Sequence, residues 1–287
     1  MKKSRLIFRQ VKALAGNQGE ELQALIWPLI CYSPKIPLRL QQEQLLAEAS
    51  KFSLPVLDPH FTQSQLTFHG FKWGSGKHKV LLTHGWGSKA ADFFDLIVLL
   101  REINDLEIIA FDAPGNGSSE AELSNLLLYV QAAKAVIQNY GAPHIVIGHS
   151  LGAMANIIAL QQTGVTPSLL ISLAPLIRLK ENFMATLAAA EVADTVQAMF
   201  FERFEAIFNM STAYFNWDNF YHFGSAIEHR LAHTRQDLIA PYAYLHEFLT
   251  RHPEIDAHHY DDTTHERMLR EPAVIADVVD LIKTRLR

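Results

Sequence analysis

Gly148-His149-Ser150-Leu151-Gly152 stands where the apolar run His144-Ile145-Val146-Ile147, which reads as a strand, gives way to the helix-forming run Ala153 to Leu160. A serine on such a strand-to-helix turn is held out at the edge of a sheet, where its hydroxyl can meet a bound molecule. Small residues two before and two after the serine suit that turn, because a side chain at either place would collide as strand and helix backbones close on each other. A hydroxyl attacks poorly until a base takes its proton and a third group orients that base. His265 suits the first role: it follows an expected strand at Ile255 to Tyr260 and the polar loop Asp261-Asp262-Thr263-Thr264. Asp237 suits the second, because it leaves the segment expected as a strand over Ile227 to His233. Negative charge developing on an attacked carbonyl needs donors. The backbone N–H of Leu151, at a helix start, is one candidate. The N–H of Trp86, in the loop His84-Gly85-Trp86-Gly87, is the other.

These residues lie far apart in the chain, so a sheet must gather them. Val80 to Thr83, Leu106 to Phe111, His144 to Ile147 and Leu169 to Leu173 read as short apolar strands. Helical stretches alternate with them at Ala91 to Arg101, Ala121 to Tyr140 and behind Ser150. That alternation predicts an α/β fold with a mainly parallel sheet covered on both faces, in which active groups collect at the C-terminal strand ends. Leu66 to Trp73 reads as an earlier β segment, and Pro272 opens a final helix to Ile282. The expected divisions are residues 1–60 as a helical extension of unread role, 61–175 as the first part of the core, 176–226 as a helical cap and 227–287 as the rest of the core. Within the extension, helices are expected near Leu6 to Ala15 and Gln41 to Phe52.

Together these pieces resemble the α/β-hydrolase superfamily, specifically its single-chain serine hydrolases with a helical cap. The resemblance rests on Leu82-Thr83-His84-Gly85-Trp86-Gly87, Phe111-Asp112-Ala113-Pro114-Gly115-Asn116-Gly117-Ser118-Ser119, the turn at Ser150, Asp237 before Pro241, and His265. It covers roughly residues 65–287 and implies a three-layer α/β-hydrolase fold. It also implies Ser150 as nucleophile, Asp237 as acid, His265 as base, and Trp86 and Leu151 as oxyanion donors. The chain order serine, aspartate, histidine is the one this architecture uses. Asn116 stands where relatives often carry histidine, and Asp237 is alone where they often have two acidic residues.

A serine nucleophile favours an acyl-enzyme on a carbonyl substrate over carboxylate chemistry. The expected activity is metal-independent carboxylic-ester hydrolysis on a small acyl substrate. Thioester hydrolysis, acyl transfer and amide cleavage stay open as alternatives, as does an inactive hydrolase-fold binding protein. The aromatic run of the cap, Phe200 to Tyr221, suits a substrate with an apolar portion. His149 and His84 are expected to pack and to brace the oxyanion loop, and Asp112 to stabilise its own loop. His258 and His259 are expected on the surface, with Asp262 the nearest rival to Asp237.

Composition narrows the partners. A net charge of -5, from 25 basic and 30 acidic residues, offers a polyanion no broad attraction, so no nucleic-acid partner is expected. The 14 histidines include no His-Glu-x-x-His spacing, so no metal and no cofactor is expected. A single cysteine, Cys31, permits a reducing compartment. Arg9, Gln10 and Lys12 interrupt what a signal peptide would keep apolar, and a cytoplasmic location is expected. Leu22 to Tyr32 is apolar but contains Pro28 and falls short of the roughly 20 residues a membrane span needs; no stable membrane insertion is expected.

Overall fold

The computed structural model describes residues 2–16 and 19–286; Met1, Asn17, Gln18 and Arg287, which the expected divisions 1–60 and 227–287 include, lie outside the described residues. Three helices come first: α1 (Lys2–Leu14), α2 (Glu20–Cys31) and α3 (Leu40–Ala47). Strands β1 (Ser50–Asp58), β2 (Ser64–Gly74) and β3 (His78–Thr83) follow. Then alternate α4 (Phe94–Leu100), β4 (Leu106–Asp112), α5 (Leu126–Tyr140), β5 (Ile145–His149), α6 (Leu151–Thr163) and β6 (Leu169–Leu173). Helices α7 (Leu179–Ala189) and α8 (Asp194–Phe208) and three short 3-10 turns precede β7 (Glu228–His233). The chain closes with α9 (Tyr242–Arg251), β8 (Asp256–His259) and α10 (Pro272–Arg285).

The eight strands form one sheet in the order β1-β2-β4-β3-β5-β6-β7-β8. β1 and β2 run antiparallel to their neighbours, and β4, β3, β5, β6, β7 and β8 are mutually parallel. Alternate side chains of one strand enter opposite cores. Leu81 and Val146 face the core built with α1, α2, α5, α6 and α8, while Val80, Leu82, Ile145 and Ile147 face the core built with α3, α4 and α10. Burial on both faces is why the parallel strands read as continuous apolar runs. The fold is the three-layer α/β-hydrolase fold.

Two boundaries depart from the sequence reading. The helix expected over Gln41 to Phe52 ends at Ala47, and residues 50–58 are an edge strand, so the first 60 residues are not helical throughout. Pro55 sits within that strand, which an edge tolerates because one side of it has no ladder partner. The helix expected from Ala121 begins only at Leu126, where the Asn125 side chain accepts a hydrogen bond from the Leu128 N–H. Residues 121–125 are instead tied to the N-terminal segment, with the Ser124 N–H donating to the Cys31 carbonyl at 2.8 Å.

Candidate active site

Ser150 lies between β5 and α6 with φ 52° and ψ -120°, a backbone conformation that L-residues rarely occupy. Such strain persists only where neighbours over-determine it. Here the Ser150 N–H donates to the Leu173 carbonyl at 3.0 Å, and the Ser150 carbonyl accepts from Leu176. The two glycines of the turn answer to different obstacles. A Cβ on Gly148 would stand 2.5 Å from the Ala153 Cα of the following helix. A Cβ on Gly152 would run into the carbonyl oxygens of Thr83 and His84, at the end of the neighbouring strand β3. The second glycine therefore serves the approach of α6 to another strand, and not the closure of its own turn.

The sheet brings the three distant residues together. The Ser150 hydroxyl donates to His265 Nε2 at 2.8 Å, and His265 Nδ1–H donates to Asp237 Oδ2 at 2.7 Å. The other oxygen of Asp237 accepts from the N–H groups of Ile239 and Ala240 at 2.9 and 2.7 Å. Those bonds fix the carboxylate's orientation independently of the imidazole. Ser150, Asp237 and His265 are all buried. Asp262 is exposed in its loop, and His258 and His259 pair with Asp256 and Asp261 at the surface.

Leu151 is the first residue of α6, so its N–H is one of those a helix leaves without an internal acceptor. Trp86 and Leu151 line the same cavity as Ser150. The loop carrying Trp86 is braced from behind. The Ala113 N–H donates to His84 Nε2 at 3.0 Å, which places the His84 proton on Nδ1, where it donates to the Gly85 carbonyl at 2.7 Å. The Tyr129 hydroxyl donates to the same carbonyl at 3.0 Å. Burial holds the His84 pKa below the usual histidine value despite nearby Asp112, and a neutral ring keeps this pattern intact. Asp112 accepts from the N–H groups of Ala90 and Ser118, both at 2.8 Å.

His149 and Asn116 have roles that spacing alone did not specify. His149 Nε2–H donates to the backbone carbonyl of His265 at 2.9 Å, linking the serine turn to the histidine loop. Burial, and secondarily the proximity of His265, pushes the His149 pKa down to about 3, so the ring stays a neutral donor. Asn116 receives the Ser33 hydroxyl and donates to the Pro114 carbonyl, pinning the N-terminal segment.

The cavity over Ser150 holds about 650 Å³ and is lined mainly by apolar side chains. Phe204 and Phe208 of α8 and Phe215 beyond it contribute, as does Phe183 of α7, which the sequence reading did not single out. Trp217 and Tyr221 pack instead against Phe248 of α9, with ring centroids 5.3 and 5.4 Å away. Phe8, Leu29, Ile30 and Cys31 of α1 and α2 also line the cavity. No short spacing marks these residues as wall; only their place on amphipathic helices hints that something apolar covers them.

Among the described residues no group of three or more histidine, cysteine or acidic side chains could hold a metal ion. Among them, too, no helix is long and apolar enough to cross a membrane.

Comparison with known proteins bears on the family and the fold. The alpha/beta hydrolase family profile matches residues 80–279. No curated protein matches the sequence. Among solved structures, an esterase of Pyrococcus furiosus is similar with a TM-score of 0.57 at 16% identity, covering 90% of this chain and 95% of that one. Mouse alpha/beta hydrolase domain-containing protein 10 is similar with a TM-score of 0.57 at 17% identity, over 83% of this chain and 98% of its own. A thioesterase domain from the curacin biosynthetic pathway has a TM-score of 0.55 at 15% identity, over 81% and 99%. At these identities the likeness is one of fold. With a family profile spanning most of its length and the strand order above, the chain belongs to the alpha/beta hydrolase family.

Proposed function

We propose that the protein is a serine hydrolase that cleaves carboxylic esters with an apolar acyl part through an acyl-enzyme. The observation that carries this reading is the continuous hydrogen-bonded line from Ser150 through His265 to Asp237. His265 Nε2 takes the Ser150 proton as Oγ bonds to the substrate carbonyl carbon, and the carbonyl electron pair moves to its oxygen. The N–H groups of Leu151 and Trp86 receive that oxyanion. Asp237 keeps the imidazole proton on Nδ1 and stabilises the cation. Collapse expels the alcohol, protonated by His265, and leaves the acyl group on Ser150. Water then repeats the sequence: His265 takes its proton, the acid departs, and Ser150 regains its hydrogen.

Thioesters call on the same groups, and the fold shared with the curacin-pathway thioesterase domain supports testing them. The first experiment is labelling with a small fluorophosphonate, which reports an activated serine. Wild type is expected to label, and Ser150→Ala is not. Folded wild type that resists the probe overturns the proposal. A panel of esters, thioesters and peptides then assigns the bond, with medium-chain p-nitrophenyl esters expected to turn over faster than acetate.

A further inference from the structure

The helices α1 and α2 lie outside the residues that the family profile matches, which begin at 80. They nevertheless supply part of the cavity above Ser150. Phe8 comes from α1, and Leu29, Ile30 and Cys31 form the last turn of α2. Phe204 and Phe208 of α8 line the same cavity.

Two sets of contacts hold the hairpin in place. The ring of Trp27 packs against Phe200, Phe204 and Phe208, with centroids 5.0, 6.2 and 6.1 Å away, so α2 and α8 share one aromatic cluster. Below it, Cys31 accepts from the Ser124 N–H, and Lys35 Nζ donates to the Ser119 carbonyl at 2.6 Å. Pro34 lies against the oxyanion loop, 3.5 Å from where a Cβ on Gly87 would be. A wall fixed at both ends can set the dimensions of what it encloses.

The cavity is lined by both buried and exposed apolar side chains. Ile30, Phe204 and Phe208 are 6%, 5% and 3% exposed, whereas Ile36, Leu238 and Ile239, which line it elsewhere, are 44%, 91% and 40% exposed. Of the polar lining groups, Ser88 and Asp92 follow closely on the loop carrying Trp86 and Glu266 and Arg270 on His265, while Ser124, bonded to Cys31, and its neighbour Asn125 also line the cavity, as do Asn182 and Thr186 of α7. During turnover the acyl part stays bound to Ser150 while the leaving group must escape. The buried, apolar part of the lining therefore suits the retained chain, and the exposed part suits the departing alcohol.

We infer that the α1–α2 hairpin, with Ile30 and Phe8 at its inner face, sets the acyl-chain length the enzyme accepts, the chain lying between α2 and α8. This inference rests on the acyl-enzyme reading above. Filling the space should shorten the preferred chain and emptying it should lengthen it. Ile30→Trp is expected to lower the ratio of octanoyl to acetyl p-nitrophenyl ester kcat/KM at least tenfold, and Phe8→Ala to raise the ratio of dodecanoyl to octanoyl several-fold.

A direct measurement on wild type avoids dependence on how these variants fold. An aryl phosphonate with a long alkyl chain, bearing a diazirine near its end, is attached to Ser150 and photolysed, and the crosslinked peptide is identified by mass spectrometry. Crosslinks within residues 20–36 are expected. Crosslinks confined to α7 or residues 236–240, or chain-length ratios unchanged in both folded variants, overturn the inference. Failure of wild type to react with any phosphonate instead defeats the acyl-enzyme reading, which keeps the two outcomes apart.

Discussion

The serine turn and the wall above it are held by opposite means. Around Ser150 nearly every constraint is short-range and polar. A positive φ is locked by backbone bonds, two glycines are hemmed in by carbonyls and Cα atoms, and one carboxylate is fixed by two N–H groups. The wall has few such bonds and is built from rings of α2 and α8 that meet across more than 170 residues of chain. Chemistry needs atoms placed to a few tenths of an ångström, which directional hydrogen bonds supply. A pocket for an alkyl chain needs volume and dryness, which packing supplies. Catalysis in this molecule should therefore be brittle at the turn, and specificity should be adjustable at the wall.

The sharpest break is at Ser150, the proposed nucleophile. Ser150→Ala should lower ester hydrolysis on the order of 10⁵-fold without loss of folding, measured as kcat with an octanoyl ester beside a thermal unfolding curve. Residual activity above a few per cent would move the nucleophile elsewhere. Asp237→Asn comes next, with a loss on the order of 10⁴-fold. Its amide can still accept from Ile239 and Ala240 but presents N–H₂ to His265, which drives the imidazole proton onto Nε2 and removes the acceptor for Ser150. A drop of less than tenfold would mean that another carboxylate orients the histidine.

The same division explains what could be read from the chain. The turn at Ser150 was legible because its demands fall within five consecutive residues, and Asp237 and His265 because strand ends are recognisable by the apolar runs before them. The alternation of Phe52, Leu54 and Val56 carried the signal for β1, but the preceding helix-forming residues and Pro55 masked it. The start of α5 could have been placed by Asn125 as a capping residue. The role of α1 and α2 was out of reach for a different reason. An apolar face declares that it will be covered, and nothing local declares by what, so Trp27 meeting Phe204 is visible only once the sheet has set where both helices lie.

Two substitutions sharpen the contrast in stability. Gly152→Ala places a methyl against the backbone carbonyls of Thr83 and His84, which have no side-chain freedom to yield, and should cost about 3 kcal/mol together with most activity. Trp27→Ala opens the ring cluster between α2 and α8 and should cost about 3 kcal/mol by urea denaturation. Its effect on fluorophosphonate labelling of Ser150 should stay within about threefold, since the serine's hydrogen bonds do not involve it. Loss of labelling in a folded Trp27→Ala protein would make turn and wall one unit and end the distinction drawn here.

The smallest effect concerns a histidine on β7. His229 is buried between the Ser172 hydroxyl at 2.9 Å and the Tyr221 hydroxyl at 3.0 Å. Burial first, and the charge of His252 second, push its pKa down from 6.5 to about 3. Between those values the unfolded chain binds a proton that the folded chain refuses. The stability that His229 contributes is thus fully present above pH 6.5 and drains away as pH falls towards 3. The slope is about 1.4 kcal/mol per pH unit for one such proton. His229→Gln keeps a polar side chain between the two hydroxyls and has no proton to take up, so urea unfolding at pH 6, 5 and 4 should show a slope shallower than wild type by about that amount. Ester turnover at pH 7.5 should be unaffected, because His229 lies at neither the serine turn nor the cavity wall. Identical slopes in the two proteins would mean that His229 is protonated in the folded state over that range, with the packing around it more open to water than the burial of Trp217 and Tyr221 implies.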